Sequence, residues 1–143
     1  MILLLRHAWA GDRALWEGDD AERPLDERGR GQAERLAARL EQFDVARIVS
    51  SPYRRCVETV EPLAATLGLP IEVREELAEH SSAERAAVFV RSLTPAEAST
   101  VVCGHGGLEV AVLGHLPEKR WKKASTLLLD DGLHPAGRLK PPG

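Results

Sequence analysis

Aromatic residues are scarce in this chain, with two Phe, one Tyr and three Trp among 143 residues. Leu, Val and Ala must therefore build the core. Cysteine is also rare, and Cys56 and Cys103 form neither a CxxC pair nor part of a metal-ligand cluster. Long apolar runs are missing. Residues 2–5 make the first one, and Arg6 closes it well short of a signal h-region or of the ~20 apolar residues that span a membrane. A cytoplasmic setting with reduced thiols and no membrane contact is expected. There is no basic excess either. A net charge of −3 argues against a nucleic-acid polymer as partner.

What is present suits one globular core. Hydrophobic residues make up 43% and charged residues 29%, so no disulfide staple is needed, and a single domain over residues 1–143 is expected. Residues 1–5 form a continuous apolar run of the buried parallel-strand kind. An irregular acidic loop, 9–23, follows. Asp26 is placed to cap a helix that carries Ala33, Leu36, Ala37, Leu40 and Phe43 at helical spacing. Residues 46–49 read as a second strand. Ser51 and Pro52 read as cap and first residue of a second helix, whose face is Val57, Val60, Leu63, Ala64 and Leu67 and whose stop is Gly68. Further strands are expected at 70–73, 100–103, 126–129 and, on an edge, 137–140. Further helices are expected at 82–93 and from 107 to about 116. Strands that alternate with helices predict a three-layer α/β/α sandwich around a mostly parallel sheet.

In such sheets ligands bind at the carboxyl ends of the strands. Here the first strand ends in Arg6-His7, the second in Ser50-Ser51-Pro52-Tyr53-Arg54-Arg55 and the fourth in Gly104-His105-Gly106-Gly107. Each piece alone has a plain structural account. A histidine after a strand often only hydrogen-bonds, an arginine in a first helical turn is usually solvated, and a Gly-rich tetrapeptide can be a tight turn. Together they bring two histidines and at least two arginines to one rim, which is an anion site by charge alone. Phosphoryl transfer needs an in-line nucleophile and cations around three equatorial oxygens. Neutral imidazole is a competent nucleophile, since its unperturbed pKa is ~6.5, and flanking guanidinium groups keep it unprotonated. Arginine grips phosphate with a planar fork that lysine lacks. Gly106 and Gly107, at a helix start, would add backbone N–H groups to the cradle.

Other chemistries lack their motifs. There is no GxxxxGK[ST] loop, no HExxH and no GxSxG, and Gly104-x-Gly106 lacks the third glycine of a dinucleotide fingerprint. A cysteine-phosphatase loop would need arginine six positions after its cysteine, where Cys56 has Pro62 and Cys103 has Glu109. No metal and no cofactor are expected.

Four motifs follow in order along nearly the whole chain: Leu4-Leu5-Arg6-His7-Ala8; Arg23-Pro24-Leu25 with Gly29-x-x-Gln32-Ala33; Ser51-Pro52-x-x-Arg55-x-x-x-Thr59; and Gly104-His105-Gly106-Gly107. In them the chain resembles the histidine phosphatase superfamily, also called phosphoglycerate-mutase-like. The Arg-His-Ala opening, the Arg-Pro-Leu segment and the small size are most similar to the SixA-type phosphohistidine phosphatases. The stretch from Arg6 to Arg13, with Trp16, Gly18-Asp19-Asp20 and Arg23 to Asp26, is also similar to the histidine phosphatase domain that follows a Nudix domain in some bacterial nucleotide-sanitising hydrolases. The resemblance implies the same three-layer fold and a metal-independent phosphatase. His7 would be phosphorylated transiently, and Arg6, Arg55 and His105 would form the phosphate pocket around it. Arg55 rather than Arg54 matches the pocket arginine, because it stands four residues before Thr59. Glu79 falls where many members hold a proton-donating carboxylate, although SixA-type members often lack one. Ala8, Trp9 and Ala10 depart from the mutase pattern, so mutase activity is not expected.

The substrate stays open at this level. Phosphohistidine on a protein is the first expectation, a nucleotide or other small phosphate ester the second, and a non-catalytic phosphate- or phosphoprotein-binding module the third. Arg13, Arg23 and Gly106 are candidates for contacts beyond the transferred phosphoryl; alternatively, the two arginines pair with Asp12, Asp19 or Asp20. Lys119, Arg120, Lys122 and Lys123 suit a polyphosphate or an acidic protein, or else form a solvated face. Glu79 is either the proton donor or a surface carboxylate in a loop with Glu75 and Glu76. A monomer is expected.

Overall fold

A computed structural model describes every residue except Ala96 and Glu118. Strand β1 (Ile2–Arg6) lies inside the sheet, parallel to β4 (Ser99–Gly104) on one side and antiparallel to β5 (Thr126–Leu129) on the other. Beyond β4 lie β2 (Val45–Ser50) and β3 (Ile71–Val73), both parallel, and beyond β5 the antiparallel edge strand β6 (Pro135–Leu139). The order is β3-β2-β4-β1-β5-β6, so the sheet is mostly parallel as the sequence predicts.

Successive side chains on a strand point to opposite faces, so an all-apolar strand needs cover on both. Leu3 and Leu5 belong to one core, filled by Leu36 and Leu40 of α1 (Glu27–Leu40) and by Val60 and Leu63 of α2 (Arg54–Leu67). Ile2 and Leu4 belong to the other, filled by Phe89 and Val90 of α3 (Ala83–Ser92) and by Val112 of α4 (Leu108–Leu113). The result is the expected three-layer sandwich. Asp26 caps α1 by accepting from the Gly29 N–H. A Cβ at Gly29 would lie 1.9 Å from the Trp9 carbonyl oxygen, so only glycine lets α1 sit this close to the loop after β1.

Four elements differ from expectation, the first being the edge strand β6, which runs Pro135–Leu139 rather than 137–140. Helix α2 begins at Arg54, not Pro52, because the Ser51 hydroxyl does not cap it: that oxygen is buried against His105, and Tyr53 stays extended. Phe43 leaves the α1 stripe for a 3-10 turn, Glu41–Phe43, which is followed by Asp44 in the left-handed region. Helix α4 stops at Leu113, where Gly114 turns the chain, short of residue 116. Among the described residues no helix is long and apolar enough to cross a membrane.

Candidate active site

Strands β1, β2 and β4 are parallel neighbours, so Arg6-His7, Ser50-Ser51 and Gly104-His105 emerge on one edge of the sheet. The His7 backbone is tied from both sides. Its N–H donates to the Gly104 carbonyl at 3.1 Å, and its carbonyl accepts from the Ala124 N–H at 3.1 Å. Nδ1 of the ring lies 2.8 Å from the Ala8 carbonyl oxygen. A carbonyl can only accept, so Nδ1 carries the hydrogen and Nε2 the lone pair. Burial pushes the His7 pKa down to about 3. The Ala8 bond opposes the shift, and His105, Arg55 and Arg6 add to it. The ring is neutral at neutral pH.

The groups around it are cationic or hydrogen-bond donors. Arg6 lies over Gly106, where a Cβ would come within 3.1 Å of Nη2; its Nη1 donates to the Trp121 carbonyl at 2.8 Å. Arg55 is fully buried. Its Nη1 donates to the Asp20 carbonyl at 2.9 Å, and its Nη2 donates to Asp20 Oδ2 at 3.0 Å and Glu79 Oε2 at 2.7 Å. The His105 ring stands edge-on to His7, with centroids 5.6 Å apart. Ser51 Oγ accepts from the Tyr53 N–H at 3.2 Å and so has its own hydrogen to give to His105 Nε2, 2.8 Å away. That tautomer puts the His105 proton on Nδ1. Arg6 Nε, Arg55 Nε and His105 Nδ1 are all buried without a hydrogen-bond partner. An orphaned donor of this kind costs about 1–3 kcal/mol unless something meets it.

Two carboxylates brace one side. Glu79 accepts from Arg13 at 2.7 Å as well as from Arg55, and Asp20 pairs with Arg55 at 3.0 Å, Arg23 at 2.9 Å and Arg13 at 3.8 Å. Burial raises the Glu79 pKa, but the bond from Arg13 and the charges of His105, Arg55 and Arg13 outweigh it and hold it below the usual value. Asp20 behaves alike, burial being outweighed by the Arg23 bond and by Arg55, Arg23 and Arg13. Both are therefore ionised at neutral pH. Of the pairings open for Arg13 and Arg23, the structure takes Asp20 for both and adds Glu79 for Arg13. Asp12 and Asp19 instead cap the short turns Arg13–Leu15 and Asp20–Glu22. Arg23 also donates to the Ala10 carbonyl at 2.6 Å, which fastens the loop. Glu79 does not join Glu75 and Glu76; Glu76 pairs with Arg74 at 3.1 Å.

Arg54 turns away, exposed and bonded to Glu58 at 3.0 Å. The helix-start amides are fewer than expected, since the Gly107 N–H is taken by Glu109 Oε2 at 2.9 Å. A cavity of about 660 Å³ opens on this edge, bounded by Arg6, His7, Arg13, Arg23, Glu79 and Gly106 among others. A larger hollow of about 740 Å³ beside α3 holds none of the groups that converge at His7. Among the described residues no three His, Cys, Asp or Glu side chains are grouped to hold a metal ion.

Known proteins resemble this chain in sequence and in fold. Residues 2–84 match the family described as "Histidine phosphatase superfamily (branch 1)". The chain is 39% identical over 108 residues, 73% of its length, to the 8-oxo-(d)GTP phosphatase of Mycolicibacterium smegmatis, and the match spans 34% of that relative. It is 28% identical over 120 residues to the phosphohistidine phosphatase SixA of Escherichia coli, covering 81% of this chain and 67% of the relative. The solved structure of the protein histidine phosphatase SixA complexed with tungstate has the same fold, with a TM-score of 0.77, 24% identity and coverage of 98% and 96% of the two chains. With more than half of its length matched by the family, this chain belongs to the histidine phosphatase superfamily.

Proposed function

We propose that this chain hydrolyses phosphate esters in two steps through His7, and that its substrates are small esters of the nucleotide type. The observation that carries the reading is the gathering of three buried, partnerless donors, on Arg6, Arg55 and His105, around a neutral histidine whose Nε2 lone pair is free. In the first step Nε2 attacks phosphorus, the P–O ester bond breaks, and the leaving oxygen takes the electron pair and then a proton. In the second step water attacks phosphorus, the P–N bond breaks, and inorganic phosphate and neutral His7 are regenerated. The three donors meet the non-bridging oxygens as charge builds there, which is commonly worth ~3–4 kcal/mol for one well-placed donor.

Glu79 is ionised in the ligand-free site and so does not arrive with a proton. An incoming phosphoryl group competes for Arg55 Nη2 and brings its own negative charge. Both effects raise the Glu79 pKa and prepare it to protonate a leaving oxygen.

Likeness to SixA supports a second reading, phosphohistidine on a protein. Two observations favour the small ester. The cavity, at about 660 Å³, falls among small-ligand pockets of roughly 300–1,000 Å³. The chain also has its 39% identity with the M. smegmatis 8-oxo-(d)GTP phosphatase.

The test is turnover of p-nitrophenyl phosphate, nucleoside phosphates and a phosphohistidine protein in parallel, with excess chelator present. Activity is expected to survive the chelator. Rapid quenching should trap an acid-labile, base-stable label, and His7→Ala should remove both label and turnover with circular dichroism unchanged. Activity lost to chelator and restored by magnesium, or label persisting in His7→Ala, would overturn the mechanism. Turnover confined to the phosphohistidine protein would overturn the substrate assignment.

A further inference from the structure

A second, smaller hollow of about 260 Å³ adjoins the His7 cavity, lined by Arg6, Trp9, Arg28, Arg120, Lys122 and Lys123 together with Pro141. The two spaces share Arg6, Trp9 and Lys123 as a common wall. Among the described residues no carboxylate lines the smaller one. Among the described residues none of its five cationic side chains makes an ion pair within 4.0 Å, whereas Arg13, Arg23 and Arg55 are all paired. Arg28 and Lys123 instead rest on the ring of Trp9, at 4.2 and 4.7 Å from its centroid. Contacts of that kind hold cations in place without cancelling their charge.

We propose that this basic annex is a subsite for the second phosphoryl group of a di- or polyphosphate substrate, an inference that rests on the reading of His7 as the phosphoryl acceptor. The terminal phosphoryl sits at His7 and the next one lies beyond Arg6, against Arg28, Arg120 and Lys122. The size of the annex fits this assignment: it lies below the range of whole-ligand pockets and suits one further group. Its chemistry fits as well, because guanidinium forks match tetrahedral phosphate oxygens. Like charges collected with no ion pair among the described residues are relieved by a polyanion. Lys123 records the strain, since burial first, and then Arg6, Arg120, Arg23 and Arg13, hold its pKa below the usual lysine value. An acidic protein segment would instead be met by an extended strip, and the basic cluster seen in the sequence is no strip. Lys119 departs from it to line a separate hollow with Leu113 and His115.

The experiment measures, by calorimetry and by inhibition of p-nitrophenyl phosphate turnover, the affinity for inorganic pyrophosphate and for inorganic phosphate. Pyrophosphate carries more charge and will bind better to any basic site, so the variants decide. Arg120→Ala/Lys122→Ala, and separately Arg28→Ala, change exposed side chains only. Each should weaken pyrophosphate binding about tenfold or more, the size of one lost charge-assisted contact. The affinity for phosphate and the kcat on p-nitrophenyl phosphate should stay within about twofold. Equal losses for both anions, or no loss for pyrophosphate, would overturn the annex. So would a Glu-rich peptide whose binding alone responds to the variants. If no monoester is turned over but pyrophosphate still binds with the variant-sensitive advantage, the phosphatase reading falls and the anion subsite stands.

Discussion

The two basic walls that flank His7 carry the same sign of charge in opposite states. On one wall Arg13, Arg23 and Arg55 are each held by Asp20 or Glu79 at 2.7–3.0 Å. On the other, Arg28 and Lys123 rest on the Trp9 ring and Arg6 donates to the Trp121 carbonyl, and among the described residues no carboxylate lines the hollow they share with Arg120 and Lys122. A braced guanidinium is preorganised: its direction is set before the ligand comes, at the cost of partial neutralisation. An unbraced one keeps its full field and is free to be satisfied by the ligand itself. The first arrangement suits stabilising charge at a defined atom, and the second suits capture of an anion whose position varies.

The largest expected effect separates neighbours on the braced wall. Arg55→Ala should lower kcat/KM by about 10²–10³-fold. It should also destabilise the fold by about 1–3 kcal/mol in urea melts, because Asp20 and Glu79 lose a buried partner. Arg54→Ala, which removes only an exposed pair with Glu58, should stay within about 0.5 kcal/mol and about twofold in kcat/KM. Equal effects at the two positions would dissolve the distinction between braced and merely basic residues.

Next comes Glu79→Gln. An alkyl phosphate leaves as a poor, basic oxygen and should lose about 10²-fold in kcat. Phosphohistidine leaves as a ring that solvent can protonate, and it should lose less than about tenfold. Equal small losses would reduce Glu79 to a brace, while equal large losses would move its role to the hydrolysis of the intermediate.

A smaller split is expected for Asp20→Asn. It loosens three guanidiniums and also uncovers their charge. Steady-state kinetics on p-nitrophenyl phosphate should show kcat falling about tenfold with no rise in KM. A rise in KM with kcat unchanged would mean that Asp20 serves ground-state binding.

A last effect lies in stability against pH. His7 has a folded-state pKa of about 3, against an ordinary value near 6.5. Between those values the unfolded chain binds a proton that the folded chain refuses. This contribution is therefore complete above about pH 6.5 and is lost as the pH falls toward 3, at up to about 1.4 kcal/mol per pH unit. Urea melts at pH 7, 6 and 5 should show a shallower decline for His7→Gln than for the unaltered chain. Parallel declines would show that His7 is protonated normally in the fold.

How much of this the sequence disclosed depended on how locally each feature is encoded. The strands and their order of burial follow from period-2 and continuous apolar runs. The strand-end rule then brings Arg6, His7, Arg55 and His105 to one edge. The start of α2 was misread because Ser51-Pro52 satisfies every local rule for a cap; only the fold reveals that the Ser51 hydroxyl is committed to His105. Asp20 stood in the sequence as one of three possible partners for two arginines. No periodicity organises residues 9–23, so its role at the centre of three ion pairs was hidden. Arg28 was missed for a different reason. It lies on the exposed side of α1, and nothing within its own helix links it to Lys122 and Lys123, more than ninety residues later.

Strand β1 pairs with β4 and β5, whose residues follow it by about a hundred positions. At a synthesis rate of about 5–20 residues per second, the nascent β1 waits roughly 5–20 s before its partners leave the ribosome. For that interval Ile2, Leu3, Leu4 and Leu5 form a naked apolar strand, the kind of segment through which unfinished chains associate. Arg6 follows it directly and holds its charge beside it throughout. A charge flanking an unavoidable hydrophobic strand is a gatekeeper against aggregation. One side chain thus guards the strand during synthesis and lines the His7 cavity after folding, so the yield of soluble chain and the charge of that cavity draw on the same guanidinium.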